Sequence, residues 1–145
     1  MTGLVLPGWA LPPVDRVTAV RDRAAAEVVA GAVDGVVREL STELGIVSAI
    51  EWVGGRLQVT PLTVVLDAPL PRRVVVERLL AWELMSGRPV PDSEYERYGY
   101  EPLRPNDAYL NVQYAGGVWH ALEWLLGETQ HEPGIRYAYR PPATG

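Results

Sequence analysis

The side chains best equipped for chemistry lie in the last third of the chain. His120 and Glu123 stand three residues apart. On a helix that spacing brings both side chains to one face, where the carboxylate can orient the ring for proton transfer or the two can share an ion. Two ligands do not complete a metal site, and no further strong ligand cluster lies on an identifiable neighbouring element, so no metal is expected. Glu128 and His131 form a Glu-x-x-His string, but it occurs once and sits between Gly127 and Pro133. A di-iron carboxylate site needs the string twice, on helices, with two further glutamates. Asp92, Glu94 and Glu96 alternate like the opening of a calcium loop, yet Arg97 and Leu103 occupy the positions that require glycine and glutamate.

Other chemistries lose their recognisable forms. All 13 basic residues are arginine, so the lysine of a phosphate-binding P-loop has no candidate, and neither a dinucleotide glycine fingerprint nor a nucleophile elbow surrounds Ser41, Ser48, Ser86 or Ser93. The absence of cysteine removes disulfides, thiolate nucleophiles and cysteine-based metal centres. No cofactor is expected.

What remains is a recognition surface. The segment from Pro91 to Leu103 interleaves Tyr95, Tyr98 and Tyr100 with Asp92, Glu94, Glu96 and Glu101 around a single Arg97. Tyrosine supplies contact area at low entropic cost, and acids steer a basic partner. The plainer reading folds the tyrosines back onto the core and leaves the acids wet. Trp119 and Trp124 flank His120 and lie partly off the apolar stripe of their helix, where they can cover a contact between subunits or widen the core face. Arg136, Tyr137 and Arg140 fall in a terminal run whose alternation predicts an edge strand free to pair with another chain. These features point to a non-catalytic interaction or assembly protein, a subunit of a homo-oligomer or larger complex; phage and mobile-element assembly factors are a class of suitable size. The alternative is a small enzyme or small-molecule-binding protein using His120 and Glu123 with tyrosines of the 91 to 103 loop.

The bulk properties frame these choices. A chain of 145 residues and 15.9 kDa, 48% hydrophobic and 21% charged, reads as one globular domain over residues 1 to 145. Eighteen acids against 13 bases give a net charge of -5, so no counterion-release gain favours nucleic acid, although Arg136, Tyr137 and Arg140 are the residues a nucleic-acid reading would use. The amino-terminal stretch lacks a basic region and is broken by Pro7, Pro12 and Pro13, and no uncharged run reaches the roughly 20 apolar residues of a membrane span. A cytoplasmic, soluble protein with no membrane partner is the expectation.

The elements that must position these groups read as an α+β fold. Val17, Val20, Ala24, Val28, Ala32, Val36, Leu40 and Leu44 recur at helical spacing, as one long helix or two joined near Gly31 and Gly35. Two strand-like runs, 46 to 53 and 56 to 60, flank Gly54-Gly55, which suits a two-residue hairpin. In that register Trp52 faces Leu57 and Ile50 faces Val59 on an apolar side, and the run from Leu62 to Leu66 adds a third strand after Pro61. A helix from Arg72 to Ser86 closed by Gly87 follows, then a proline-rich loop from 87 to 106. A last helix from 107 to 126 starts at Asn106, with a short strand over 110 to 114 as its rival. Gly116-Gly117 within it predicts close packing of another backbone, or else a chain approach to a bound anion. The expected architecture is an antiparallel sheet of three or four strands built on the Gly54-Gly55 hairpin, packed by the amino-terminal helix and two later ones.

Overall fold

A computed structural model describes residues 3–34, 41–107 and 110–134. Its elements are α1 (Val14–Asp34), α2 (Ser41–Val53), α3 (Pro71–Ser86), the short α4 (Asp92–Glu96) and α5 (Val112–Leu125). The described residues form no sheet, and one isolated antiparallel bridge, Val59 to Leu66, is all the β pairing among them. The α+β expectation is therefore corrected to a helical fold.

The correction turns on residues 46 to 53. Ile46, Ala49, Ile50 and Val53 follow the i, i+3, i+4, i+7 pattern of a helix face, and all four are buried. Trp52 is fully buried as well. A segment apolar on almost every side has no polar alternation to lose, and it becomes a central helix with α1 on one flank and α5 on the other. Gly54-Gly55 then ends a helix instead of turning a hairpin. The Gly54 amide donates to the Ile50 carbonyl at 2.7 Å, Gly55 takes the left-handed conformation at φ 81°, and the Arg56 and Leu57 amides return to the Glu51 carbonyl. Gly54 also lies where a Cβ would meet Leu4. Ile50 and Trp52 are thus shielded from water as expected, but by helices; Leu57, the expected strand partner of Trp52, is 38% exposed, and Val59, that of Ile50, is half-buried.

The amino-terminal periodicity resolves into two helices. On α1, Val17, Val20 and Ala24 are buried. The carboxyl-terminal part of the stripe, including Gly35 and Val36, lies outside the described residues.

α3 starts one residue before the expected Arg72, with Pro71 opening it where a missing amide costs nothing, and ends as expected, with Gly87 at φ 72° closing it by donating to the Glu83 carbonyl. α5 starts later than expected. Its cap is Asn111, whose side chain accepts from the Gln113 and Tyr114 amides at 2.9 and 3.0 Å. Asn106 instead donates its amide to the Leu62 carbonyl at 2.8 Å. The terminal edge strand, with Arg136, Tyr137 and Arg140, falls outside the described residues.

α2 and α5 pack on each other more extensively than any other pair, and α5 carries α3 on another side. Their crossing is set by two glycines. A Cβ on Gly45 would stand 2.2 Å from the Tyr114 carbonyl oxygen, and one on Gly117 would stand 2.0 Å from the Thr42 carbonyl oxygen. In both cases the obstacle is backbone, which cannot swing aside. Gly116 differs: its nearest neighbour is the flexible Met85 side chain at 3.5 Å.

This contrast is testable. Gly45→Ala and Gly117→Ala should each destabilise the protein by about 3 kcal/mol or more in urea denaturation, the upper end for overpacking. Gly116→Ala should be neutral or stabilising by up to about 1 kcal/mol, because alanine is the better helix former. Equal effects at Gly116 and Gly117 would contradict the crossing.

Candidate functional site

Two polar clusters stand out, one buried and one open. The buried one is centred on Arg73 and Glu77, one turn apart on α3 and 2% and 0% exposed. Arg73 donates through Nε to Asp67 at 2.9 Å, through Nη1 to Glu77 at 2.9 Å and through Nη2 to the Thr63 hydroxyl at 2.9 Å. Glu77 accepts from the Leu62 and Thr63 amides at 2.6 and 3.1 Å. Thr63 is hydrogen-bonded in turn to the Thr60 hydroxyl. The network holds the turn through residues 60 to 67, in which Val64 takes the left-handed conformation at φ 53°, a backbone state disfavoured for a β-branched residue. Burial pushes the Glu77 carboxyl up, against the charge of Arg73 and the two amides that favour the ionised form. The sequence reading gave no weight to Arg73 and Glu77; the signal available was an i, i+4 opposite-charge pair set among the valines and leucines of α3.

The tyrosine and acid loop folds onto this cluster. Tyr100 places its ring 5.6 Å beneath the Arg73 guanidinium, and Tyr95, on α4, is buried. Burial, followed by the charges of Glu83, Glu77 and Asp92, pushes the Tyr95 hydroxyl well above its ordinary value. Tyr98 is half-buried with Arg97 5.9 Å from its ring, and Arg97 also lies 3.7 Å from Glu94. Glu96 stays exposed. Of the loop residues singled out from sequence, Asp92, Glu96, Arg97 and Glu101 stay in solvent, while the tyrosines are drawn inward.

The helix α5 residues separate in the same way. His120 is 4% exposed and Trp124 is buried in the core. Glu123 does not orient His120; its carboxylate accepts from Arg78 Nη1 on α3 at 3.1 Å. Burial lowers the His120 pKa, with a hydrogen bond to the His131 backbone opposing that shift and the His131 charge adding to it. Burial raises the Glu123 carboxyl, with Arg78 opposing and Glu128 reinforcing the rise.

The open cluster is a groove of about 380 Å³ between α3 and α5, lined by Arg78, Leu79, Trp82, Trp119, Glu123 and Glu128. Trp82 and Trp119, both half-buried, stand with ring centroids 5.5 Å apart and planes tilted by 44°, within the range of favourable aromatic pairs. Arg78 lies 3.8 Å from Glu128 as well as against Glu123, so two carboxylates face one guanidinium. Sequence reasoning singled out Trp119 and Glu123, and Glu128 only as part of a Glu-x-x-His string, but not Trp82 or Arg78, because the conjunction needs the α3 to α5 packing. Among the described residues no group of three or more histidines and carboxylates could hold a metal ion, and no helix is long and apolar enough to cross a membrane. The chain matches no family model, no curated protein and no solved structure.

Two outcomes follow from the buried groups. Arg73→Met leaves the Glu77 charge without its counterion and should cost about 3 to 5 kcal/mol by chemical denaturation, whereas Arg73→Met with Glu77→Gln, which removes the charge but keeps an acceptor for the Leu62 and Thr63 amides, should recover part of that loss. For His120 the folded pKa lies below the unfolded value, so its contribution is present above the unfolded pKa of about 6.5 and is lost as pH falls through the folded one. The wild-type melting temperature should therefore drop on acidification below about pH 6.5, and His120→Gln should flatten that part of the profile, which titration of Tm checks.

Proposed function

We propose that this chain is a non-catalytic interaction protein, a subunit of an assembly that docks a partner segment in the groove between α3 and α5. The observation that carries the reading is the Trp82 and Trp119 pair at an open surface. Tryptophan is the residue type most enriched at binding hot spots, and a concave, partly apolar setting rimmed by charge is the surround in which it works. The surrounding Arg78, Glu123 and Glu128 supply that rim.

The rival reading, an enzyme built on His120 and Glu123, has less support. His120 is buried and is not among the residues lining the groove, and Glu123 is engaged by Arg78. The imidazole therefore lacks the substrate-facing position that proton transfer requires.

The simplest assembly is one of identical subunits, and sedimentation at micromolar concentration tests it. The wild-type chain should self-associate, and Trp119→Ala or Trp82→Ala should weaken association by roughly thirtyfold, the loss of about 2 kcal/mol expected for a hot-spot tryptophan. A wild-type chain that stays strictly monomeric, or one whose association ignores both substitutions, would refute the reading.

A further inference from the structure

The groove has a polarity that specifies its occupant. Each indole presents a negative face, and a cation within about 6 Å of such a face is attracted to it. Beside the two rings stand two carboxylates against one guanidinium. Glu123 is taken up by Arg78 at 3.1 Å, but Glu128 is 60% exposed and only 3.8 Å from the same guanidinium. It is free to turn toward an incoming charge. An anion would meet Glu128 and the ring faces with the wrong sign, so the site favours a cationic side chain with aromatic or apolar neighbours.

The chain itself supplies such a segment. The eleven residues from Ile135 to Gly145 read Ile-Arg-Tyr-Ala-Tyr-Arg-Pro-Pro-Ala-Thr-Gly, with two arginines, two tyrosines and no acid, in a protein whose net charge is -5. The last described residues before it turn onto α1. Glu132 accepts from Arg16 at 2.8 Å, and the Pro133 carbonyl accepts from Arg23 at 3.1 Å. Gly134, the last described residue, also lies against the Arg23 side chain of α1, whereas the groove is lined from α3, α5 and Glu128.

Resting on the docking reading above, we infer that the groove of one copy receives the carboxyl-terminal segment 135–145 of a second copy, with an arginine, Arg136 or Arg140, over the Trp82 and Trp119 rings and paired with Glu128. The tail of one copy completes the site of the next. This is a contact between two different surfaces, so it assembles either by reciprocal exchange in a dimer or head to tail in a ring or filament.

The test uses two full-length variants and one chain ending at Gly134. Glu128→Arg reverses the exposed rim charge without touching the core, and Arg136→Glu with Arg140→Glu reverses the tail. Each alone should weaken self-association in sedimentation by about tenfold or more, the scale of one lost cation contact. Mixed together, the tail-reversed and groove-reversed chains should regain association, because the reversed tail meets the reversed rim. The chain ending at Gly134 should be monomeric, and a synthetic peptide of residues 135–145 should bind it and change its tryptophan emission, less strongly at high salt. If the shortened chain still associates in a Trp119-dependent manner, the groove docks something else: this inference fails and the docking reading stands. If neither tail nor Trp119 affects association, both fall. If the shortened chain binds the peptide but the intact protein is monomeric, the tail acts within its own copy and the exchange is overturned.

Discussion

The backbone contact between α2 and α5 governs the rest of this structure. Gly45 and Gly117 each remove a side chain where the opposite helix presents its carbonyl oxygens, and the two glycines act reciprocally at one crossing. With the axes this close, Ile46, Ala49 and Ile50 share a single core with Val118, Ala121 and Leu122. The helical entropy lost at the two glycines, about 1 kcal/mol each, is small against the apolar area that the approach buries. The phase of α5 follows from the same contact. Gly117 facing α2 sends Trp119 and Glu123 toward α3, and their meeting with Trp82 and Arg78 makes the groove.

The second constraint is the salt-bridged turn at residues 60 to 67. Buried ion pairs rarely add net stability relative to an apolar substitute, because desolvation consumes what the Coulomb attraction returns. Here the same charges also satisfy the Leu62 and Thr63 amides and cover a left-handed Val64. Their effect is to specify one path for an irregular segment. The long-range ties agree with this view: Trp52 donates to the Asp67 carbonyl, Trp9 to the Pro69 carbonyl and Tyr114 to the Pro61 carbonyl. Three rings and the Arg73 guanidinium thus hold one stretch without strand or helix, and the proline-rich loop joins it by placing Tyr100 against Arg73.

Legibility in the sequence varied with how local each determinant is. The end of α3 could be bounded to a residue because glycine past it acts on the backbone around it, and its start fell one residue before the expected Arg72 because Pro71 opens the helix instead of closing the break before it. The α2 segment misled because Ile46, Ile50, Trp52 and Val59 fit an alternating ribbon as well as a helix, and the glycine pair that follows suits both a hairpin and a helix end. Burial on both flanks, a tertiary fact, decided between them. The start of α5 was displaced from Asn106 to Asn111 for a related reason, since both are capable caps and the choice rests on the Asn106 amide pairing with Leu62. The close approach at Gly117 was anticipated, but which glycine of the pair makes it depends on the crossing. The groove was half visible: Trp119 and Glu123 stand on one helix, and their partners arrive from a helix about forty residues earlier.

The distribution of charge explains why the open surface has the sign it does. Arginine is the only strong base in this chain, and in the described residues it acts largely as an internal clamp. Arg21 places Nε and Nη2 on one Glu51 oxygen, Arg16 does the same to Glu132, and Arg73 spreads its donors over two carboxylates and a hydroxyl. A forked, planar donor set lends itself to such joints between distant segments, which a lysine would hold as a point charge. Every clamp also neutralises one of the acids it engages. Because acids outnumber arginines, carboxylates are left over for the exterior, Glu96 and Glu128 among them. The groove then combines surplus negative charge with two indole faces, and the pairing that organises the interior, guanidinium on carboxylate and guanidinium on ring as at Arg73 with Glu77 and Tyr100, is the pairing its rim is equipped to make with another molecule.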